Sequence, residues 1–139
     1  MSSPLAQGLI RIGETAIAKE NDDALRAYFA PGYTLHLPAA DINFEQLRLY
    51  FAALRAAFPD LAIRRPIIFG EGPYLAARTT FSGTFVNVFT QSPAGALNPT
   101  GRHVEWEIMN IFRYDERGRL AEEWVQTDSR TFLEKLGGK

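Results

Sequence analysis

Cysteine is absent from this 139-residue chain, and histidine nearly so, with only His36 and His103. Without thiols there is no disulfide, no thiolate nucleophile and no cysteine-ligated metal. Two histidines do not make a histidine-rich metal site; carboxylates are the remaining route to a bound ion, and no metal is expected. An excess of charge is also lacking. With 15 basic and 16 acidic residues the net charge is −1, which gives no electrostatic reason to expect nucleic acid or an anionic membrane as partner. No apolar run approaches membrane-spanning length. The opening stretch MSSPLAQGLIRIGETAIAKE has no basic segment followed by an unbroken apolar core, so no secretory signal is expected and a cytoplasmic location is the default. Repeats and low-complexity tracts are missing too. What is there is ordinary for a globular protein: 46% apolar and 22% charged residues. The length suits a single domain over residues 1–139 with a sizeable core.

The hydrophobic period changes once along the chain. Before residue 58 it is helical. Leu5, Leu9, Ile12 and Ala16 recur at helical spacing, although Gly8 and Gly13 each cost a helix about 1 kcal/mol relative to Ala. NDD offers a cap, ALRAYFA a short helix and Pro31-Gly32 a stop, followed by a short strand from Tyr33 to Pro38. The best helix runs from Asn43 to Phe58, with Asn43 as its cap, Phe44, Leu47, Phe51, Leu54 and Phe58 as one apolar stripe, and Pro59 as its end. Beyond Pro59 the period is that of strands. LAIRRPIIF and YLAARTTFSGTF are joined by GEGP; HVEWEIMNIFRY and RLAEEWVQT are joined by DERG, with Gly118 at a left-handed position. Between the hairpins, VNVFTQSPAGALNPTGR is a long loop of the kind that forms lids and binding loops. SRTFLEKLGG is a closing helix ended by Gly137. Helices followed by a meander of antiparallel strands make an α+β pattern in which the helices cover one sheet face.

Strand alternation nominates the pocket. In HVEWEIMNIFRY, Val104, Trp106, Ile108, Asn110, Phe112 and Tyr114 share the expected inner face, and Glu105, Glu107, Met109, Ile111 and Arg113 the outer one. The outer set is too apolar for water and too charged for a core, so a homodimer through that face is expected. In EEWVQTD, Glu122, Trp124, Gln126 and Asp128 share one face and Glu123, Val125 and Thr127 the other. A large aromatic flanked by an amide and two acids suits the wall of a wet pocket. The hairpin would bring those groups toward Asn110.

Five segments, in order, carry a resemblance to a known family: YTLHLP, AAFPDL (Ala56 to Leu61), PTGRHVEW (Pro99 to Trp106), NIFRYDERGRL (Asn110 to Leu120) and EEWVQTD. Together they resemble SnoaL-like polyketide cyclases, within the nuclear transport factor 2-like superfamily. The resemblance implies a cone: a curved antiparallel sheet wrapped around a long helix, with a pocket at the open end. It implies acid–base chemistry without a cofactor, an intramolecular aldol condensation in the best-studied members. It maps the acid/base aspartate onto Asp128, a first-strand histidine onto His36 and a strand arginine onto Arg78. Many members have Gly-Thr-His where this chain has Gly83-Thr84-Phe85, and the loop that follows is longer here. The superfamily also holds isomerases, epoxide hydrolases, dehydratases and non-catalytic binding modules.

The expectation is therefore an acid–base enzyme acting on a small, mostly apolar carbonyl compound, with an isomerase, an epoxide hydrolase or a silent ligand-binding or dimerisation module as alternatives. Asp128 and His36 are the catalytic candidates. Trp106, Asn110, Phe112, Trp124, Gln126 and Arg78 are the substrate-binding ones, with the loop from Val86 to Arg102 at the mouth. Glu122 would sit deeper, balanced by Arg78. Each has a plainer reading. Asp128 stands where a helix cap belongs, which would lower its pKa where an apolar pocket would raise it. His36 points to solvent if Leu35 and Leu37 pack on the helices. Arg78 shares a face with Thr80 and Ser82 and could make an outer salt bridge. Trp106 and Trp124 could be core, Asn110 and Gln126 could satisfy each other, and His103 reads as a surface residue.

Overall fold

The computed structural model describes residues 4–19, 21–92 and 94–137. Helix α1 (Pro4–Ile12) buries Ala6, Leu9 and Ile12, and passes at Gly13 into a π-helical turn over Gly13–Ile17. Helix α2 (Asp22–Tyr28) is capped by the Asn21 side chain, which accepts from the Ala24 amide. Strand β1 (Phe29–His36) begins four residues earlier than the sequence suggested. Pro31 and Gly32 do not stop the chain; they fall where the pairing of β1 slips between Phe29 and Thr34, and the irregularity absorbs a residue without an N–H and one at φ +80°. A short strand β2 (Asp41–Asn43) leads into α3 (Phe44–Ala57). Asn43 and Gln46 cap α3 reciprocally, and Leu47, Phe51, Leu54 and Ala57 form its buried stripe.

The remaining strands are β3 (Ala62–Glu71), β4 (Tyr74–Thr84), β5 (Phe89–Ser92), β6 (Gly95–Leu97), β7 (His103–Tyr114) and β8 (Leu120–Thr127), followed by α4 (Ser129–Lys135). Six of the strands form one sheet in the order β2-β1-β8-β7-β4-β3, and β5 and β6 make a separate ribbon within the long loop. Pairing is antiparallel except where β1 joins β8 in parallel, a departure from an all-antiparallel meander. Gly118 takes the left-handed turn between β7 and β8 at φ +77°, with Asp115 accepting from the amides of Arg117 and Arg119. Gly83 is required for another reason. A Cβ there would lie 2.9 Å from Phe58 Cβ and 3.2 Å from Asp60 Oδ1, so glycine lets the end of α3 press against β4. Just beyond, Phe85 is fully buried and stacks on Phe58 at 5.2 Å, so it belongs to the core.

The fold is a cone of the α+β class, with helices filling the concave side of a curved sheet. The inner face of β7 is the expected one: Val104, Trp106, Asn110, Phe112 and Tyr114 are buried, whereas Glu105, Glu107, Met109 and Ile111 are exposed. On β8 the facing is the reverse of the sequence expectation. Glu123 and Val125 are buried, and Gln126 is exposed. The cause is a shift of pairing: Tyr114 lies opposite Leu120, but Arg113 lies opposite Glu122. Leu120 and Glu123 therefore both point inward, three residues apart. Plain alternation from Leu120 would have turned Glu122, Trp124 and Gln126 inward; one extra residue moves the whole set to the other face.

Candidate active site

Inside the cone lies a cavity of about 650 Å³. Its walls are apolar, among them Leu9, Tyr50, Phe81, Trp106, Phe112 and Phe132. Exposed residues along the lining, Pro38, Ala39, Leu49 and Gln91, mark its mouth. Gln91 and Ser92 belong to the β5–β6 loop, which thus borders the opening as expected. Trp106 is both core and wall. It stacks on Phe81 at 5.5 Å and packs against Phe132 at 4.8 Å.

The polar groups of the cavity form one chain across the sheet. Five strands that are neighbours in space each contribute an inward residue: Tyr33 from β1, Glu123 from β8, Asn110 from β7, Thr79 from β4 and Arg65 from β3. Arg65 Nη1 donates to Thr79 Oγ1 at 2.7 Å, Thr79 Oγ1 donates to Asn110 Oδ1 at 2.8 Å, and Asn110 Nδ2 donates to Glu123 Oε2 at 2.9 Å. From the other side Tyr33 donates to Glu123 Oε1 at 2.7 Å. The guanidinium can only donate; the Thr79 hydroxyl accepts from it and donates its own proton to the amide oxygen of Asn110, whose N–H goes to Glu123. Every donor in the chain points toward the carboxyl. Beside it, the Tyr28 and Tyr114 hydroxyls share a hydrogen bond.

The electrostatics follow from burial. Glu123, Asn110 and Thr79 are all buried. Loss of water pushes the Glu123 carboxyl above the ordinary glutamate value of 4.5, against the opposing pull of Asn110, Tyr33 and the Arg65 charge. Burial likewise pushes the Tyr28 phenol up to about 12 and the Tyr114 phenol higher still, and lowers the pKa of Arg65 from its usual value. A raised carboxyl pKa is the direction that suits a general acid/base, which must both take and return a proton.

Residues 9–136 match the family model of the SnoaL-like polyketide cyclases. The chain belongs to this family. No curated protein matches it in sequence. Among solved structures, TsrD from Streptomyces laurentii is similar over 100% of this chain and 99% of that one, at 23% identity and a TM-score of 0.81. IdmH from Streptomyces antibioticus is similar over 97% and 99%, at 24% identity and a TM-score of 0.78. A protein of ketosteroid isomerase-like fold from Catenulispora acidiphila DSM 44928, solved with trimethylamine, is similar over 100% and 96%, at 13% identity and a TM-score of 0.71. At these identities the likeness is one of fold.

Within this SnoaL-like cone the residues expected at the site divide in two. Trp106, Asn110 and Phe112 line the cavity. The others lie elsewhere. Trp124 and Gln126 are on the outer face, carried there by the shift in β8. His36 follows Tyr33 and Leu35, which are buried, and so turns outward. It bonds Glu122 Oε2 through Nε2 at 2.6 Å and Asp41 Oδ1 through Nδ1 at 2.8 Å, and stacks on Trp124 at 5.3 Å. Arg78 is also on the outer face and pairs with Glu107, not with Glu122 or Asp128. Glu122 bonds Arg113 at 3.0 Å instead.

Asp128 is the N-cap of α4. It accepts from the Thr131 amide at 3.0 Å and from the Thr131 hydroxyl at 2.7 Å, and these bonds hold its carboxyl below the usual aspartate range. It lines an open groove on the outside, with Glu105, Glu107 and Lys135. Sequence reasoning missed Glu123, Tyr33, Thr79 and Arg65. The one available signal was Asn110: its inward facing was correct, and Glu123 is its hydrogen-bond partner on the neighbouring strand.

Proposed function

We propose that this SnoaL-like protein is an acid–base enzyme requiring no cofactor, and that Glu123 is its acid/base. The observation that carries this reading is a buried carboxyl, the only one among the described residues, at the wall of an apolar cavity and oriented by Tyr33 and Asn110. The substrate is a small, mostly apolar or aromatic carbonyl compound. A cavity of about 650 Å³ falls within the range that encloses such ligands. Glu123 takes a proton from a carbon next to the carbonyl and returns it to the oxyanion that forms at the electrophile; in the family's terms this is an intramolecular aldol ring closure. An isomerisation would begin with the same proton removal, so the site speaks to the class of reaction before the product.

A second reading, a ligand-binding module without turnover, draws on the fact that both Glu123 oxygens already accept protein hydrogen bonds, as inert buried carboxyls do. One pair of variants separates these readings. Assayed on the ring-closing reaction of the family, Glu123→Gln lowers turnover by roughly 10²–10⁴-fold with the fold intact, whereas Asp128→Asn leaves turnover unchanged because Asn caps a helix about as well as Asp. Full activity of Glu123→Gln refutes the assignment, and loss of activity in Asp128→Asn alone restores Asp128.

We also propose that the chain forms a homodimer through the outer sheet face. Ile67, Phe69, Met109 and Ile111 are 48–67% exposed there, and the pairs Arg78–Glu107 and Arg113–Glu122 lie on the same face. Exposed apolar side chains within a charged surround are the composition of an interface.

A further inference from the structure

Tyr50 is not used by the acid–base reading, and its hydroxyl is uncommitted. It stands on α3, the helical wall of the cavity, whereas Glu123 belongs to the sheet wall. Its ring meets the buried Phe89 edge-on at 6.0 Å. Burial alone pushes the phenol up to about 12; no hydrogen bond and no neighbouring charge contributes. Among the described residues the hydroxyl has no partner. Nor is it sealed into the packing. The side-chain atoms that are both buried and unpartnered, among the described residues, are Arg65 Nε and Arg119 Nε, so the Tyr50 oxygen keeps accessible surface. The other polar groups of the interior are taken. Tyr28 is bonded to Tyr114, Thr79 to Asn110 and Asn110 to Glu123. Ser92 and Thr127 give their hydroxyl protons to backbone carbonyls. Gln46, Gln91 and Ser129 also line the cavity, but they are exposed, where bulk water reaches them.

A phenol O–H in an apolar enclosure stays unsatisfied until a lone pair reaches it. A carbonyl oxygen supplies that lone pair and leaves the proton on the phenol. We propose that Tyr50 donates its hydroxyl hydrogen bond to the carbonyl oxygen of the substrate, so that the compound taken up is an apolar ketone held between α3 and the sheet, and Tyr50 is a second catalytic residue. The proposal rests on the acid–base reading of this cavity. When Glu123 takes a proton from the carbon beside the carbonyl, the C–H electron pair becomes the C=C bond of an enolate. The carbonyl π pair moves onto oxygen, and the new negative charge arrives at Tyr50. A neutral donor bonds an oxyanion more strongly than it bonds a carbonyl, so the contact favours the transition state over the bound substrate. Tyr50 then also fixes which way round the ketone lies.

The probes are 2-acetylnaphthalene and 2-isopropenylnaphthalene, which share a shape and differ in carrying C=O or C=CH2. Both are titrated against the full chain, and the infrared carbonyl stretch of the bound ketone is recorded. The wild-type protein is expected to bind the ketone with its stretch below the frequency seen in cyclohexane. Tyr50→Phe is expected to return the stretch to the cyclohexane position and to weaken the ketone about fivefold, the size of one neutral hydrogen bond, without changing the affinity for the hydrocarbon. In the ring-closing assay the same variant is expected to lower turnover by about 10²-fold or more. A wild-type stretch at the cyclohexane position, or no binding of the ketone, overturns the proposal without recourse to any variant; so does a shift that survives Tyr50→Phe. Glu123→Gln serves as the control and keeps the shift. A failure of the Glu123 reading therefore shows in the turnover of Glu123→Gln, and a failure of the Tyr50 contact shows in the carbonyl stretch.

Discussion

Across 2.7 Å the Tyr33 hydroxyl donates to Oε1 of Glu123, and it does so between β1 and β8, the two strands of the sheet that pair in parallel. The bond joins an early strand to the last one and holds the carboxyl at the cavity wall. Its other oxygen is taken by Asn110 on the next strand. A buried acid with one donor on each oxygen has a fixed orientation at the cavity wall.

The stability of the chain should carry the mark of this carboxyl. Glu123 binds its proton more tightly folded than unfolded, so its contribution is fully present below the ordinary value of 4.5 and is lost as the pH rises through the raised folded pKa. Glu123→Gln removes that loss. The melting temperature of the variant relative to wild type is therefore expected to climb as the pH rises above 4.5. A difference that stays level or falls across the range contradicts the raised pKa.

His36 should titrate in the opposite setting, on the outer surface. Its hydrogen bonds to Glu122 first and Asp41 second raise its pKa above 6.5, so the stability it supplies is present below that value and fades as the pH climbs through the raised one. Imidazole proton NMR should give a midpoint above 6.5 that drops in Glu122→Gln, with turnover unaffected. An unchanged midpoint in Glu122→Gln would remove the pairing.

The outer face should decide the oligomeric state. Phe69→Glu with Ile111→Arg places charge among exposed apolar side chains. Sedimentation at micromolar concentration is expected to show a dimer for the wild type and a monomer for the double variant. A wild-type monomer at that concentration rules the interface out.

The sequence carried the architecture because its periods were strong. The α3 stripe, the Asn43 cap, the Gly118 turn and the inner face of β7 are each set by local chemistry, and each stands in the structure. The site was harder because it depends on one pairing shift. Leu120 and Glu123 both face inward, and nothing in RLAEEWVQT marks the extra residue between them. Unbroken alternation puts Trp124 inside and Glu123 outside; with the shift, the indole stacks on His36 on the outer face and the acid is in the core. Asp128 shows a different limit. An acid between a strand and a helix reads as either a cap or a catalyst until its partners are seen, and its partners are the amide and hydroxyl of Thr131. Arg65 was invisible for a related reason, since an arginine in a strand after Pro59 looks like any other solvated charge until the strand's facing is known.

The proton on Glu123 can itself be observed. Carbon-13 NMR of the glutamate side-chain carboxyls, with the Glu123 signal assigned by its disappearance in Glu123→Gln, follows that proton without any need for a substrate. The Glu123 midpoint is expected above 4.5, because loss of water outweighs its two donors, with a further rise in Tyr33→Phe, because the lost hydrogen bond favours the anion. A Glu123 midpoint at or below 4.5 would mean that burial does not raise this carboxyl, and would remove the basis for Glu123 as the acid/base.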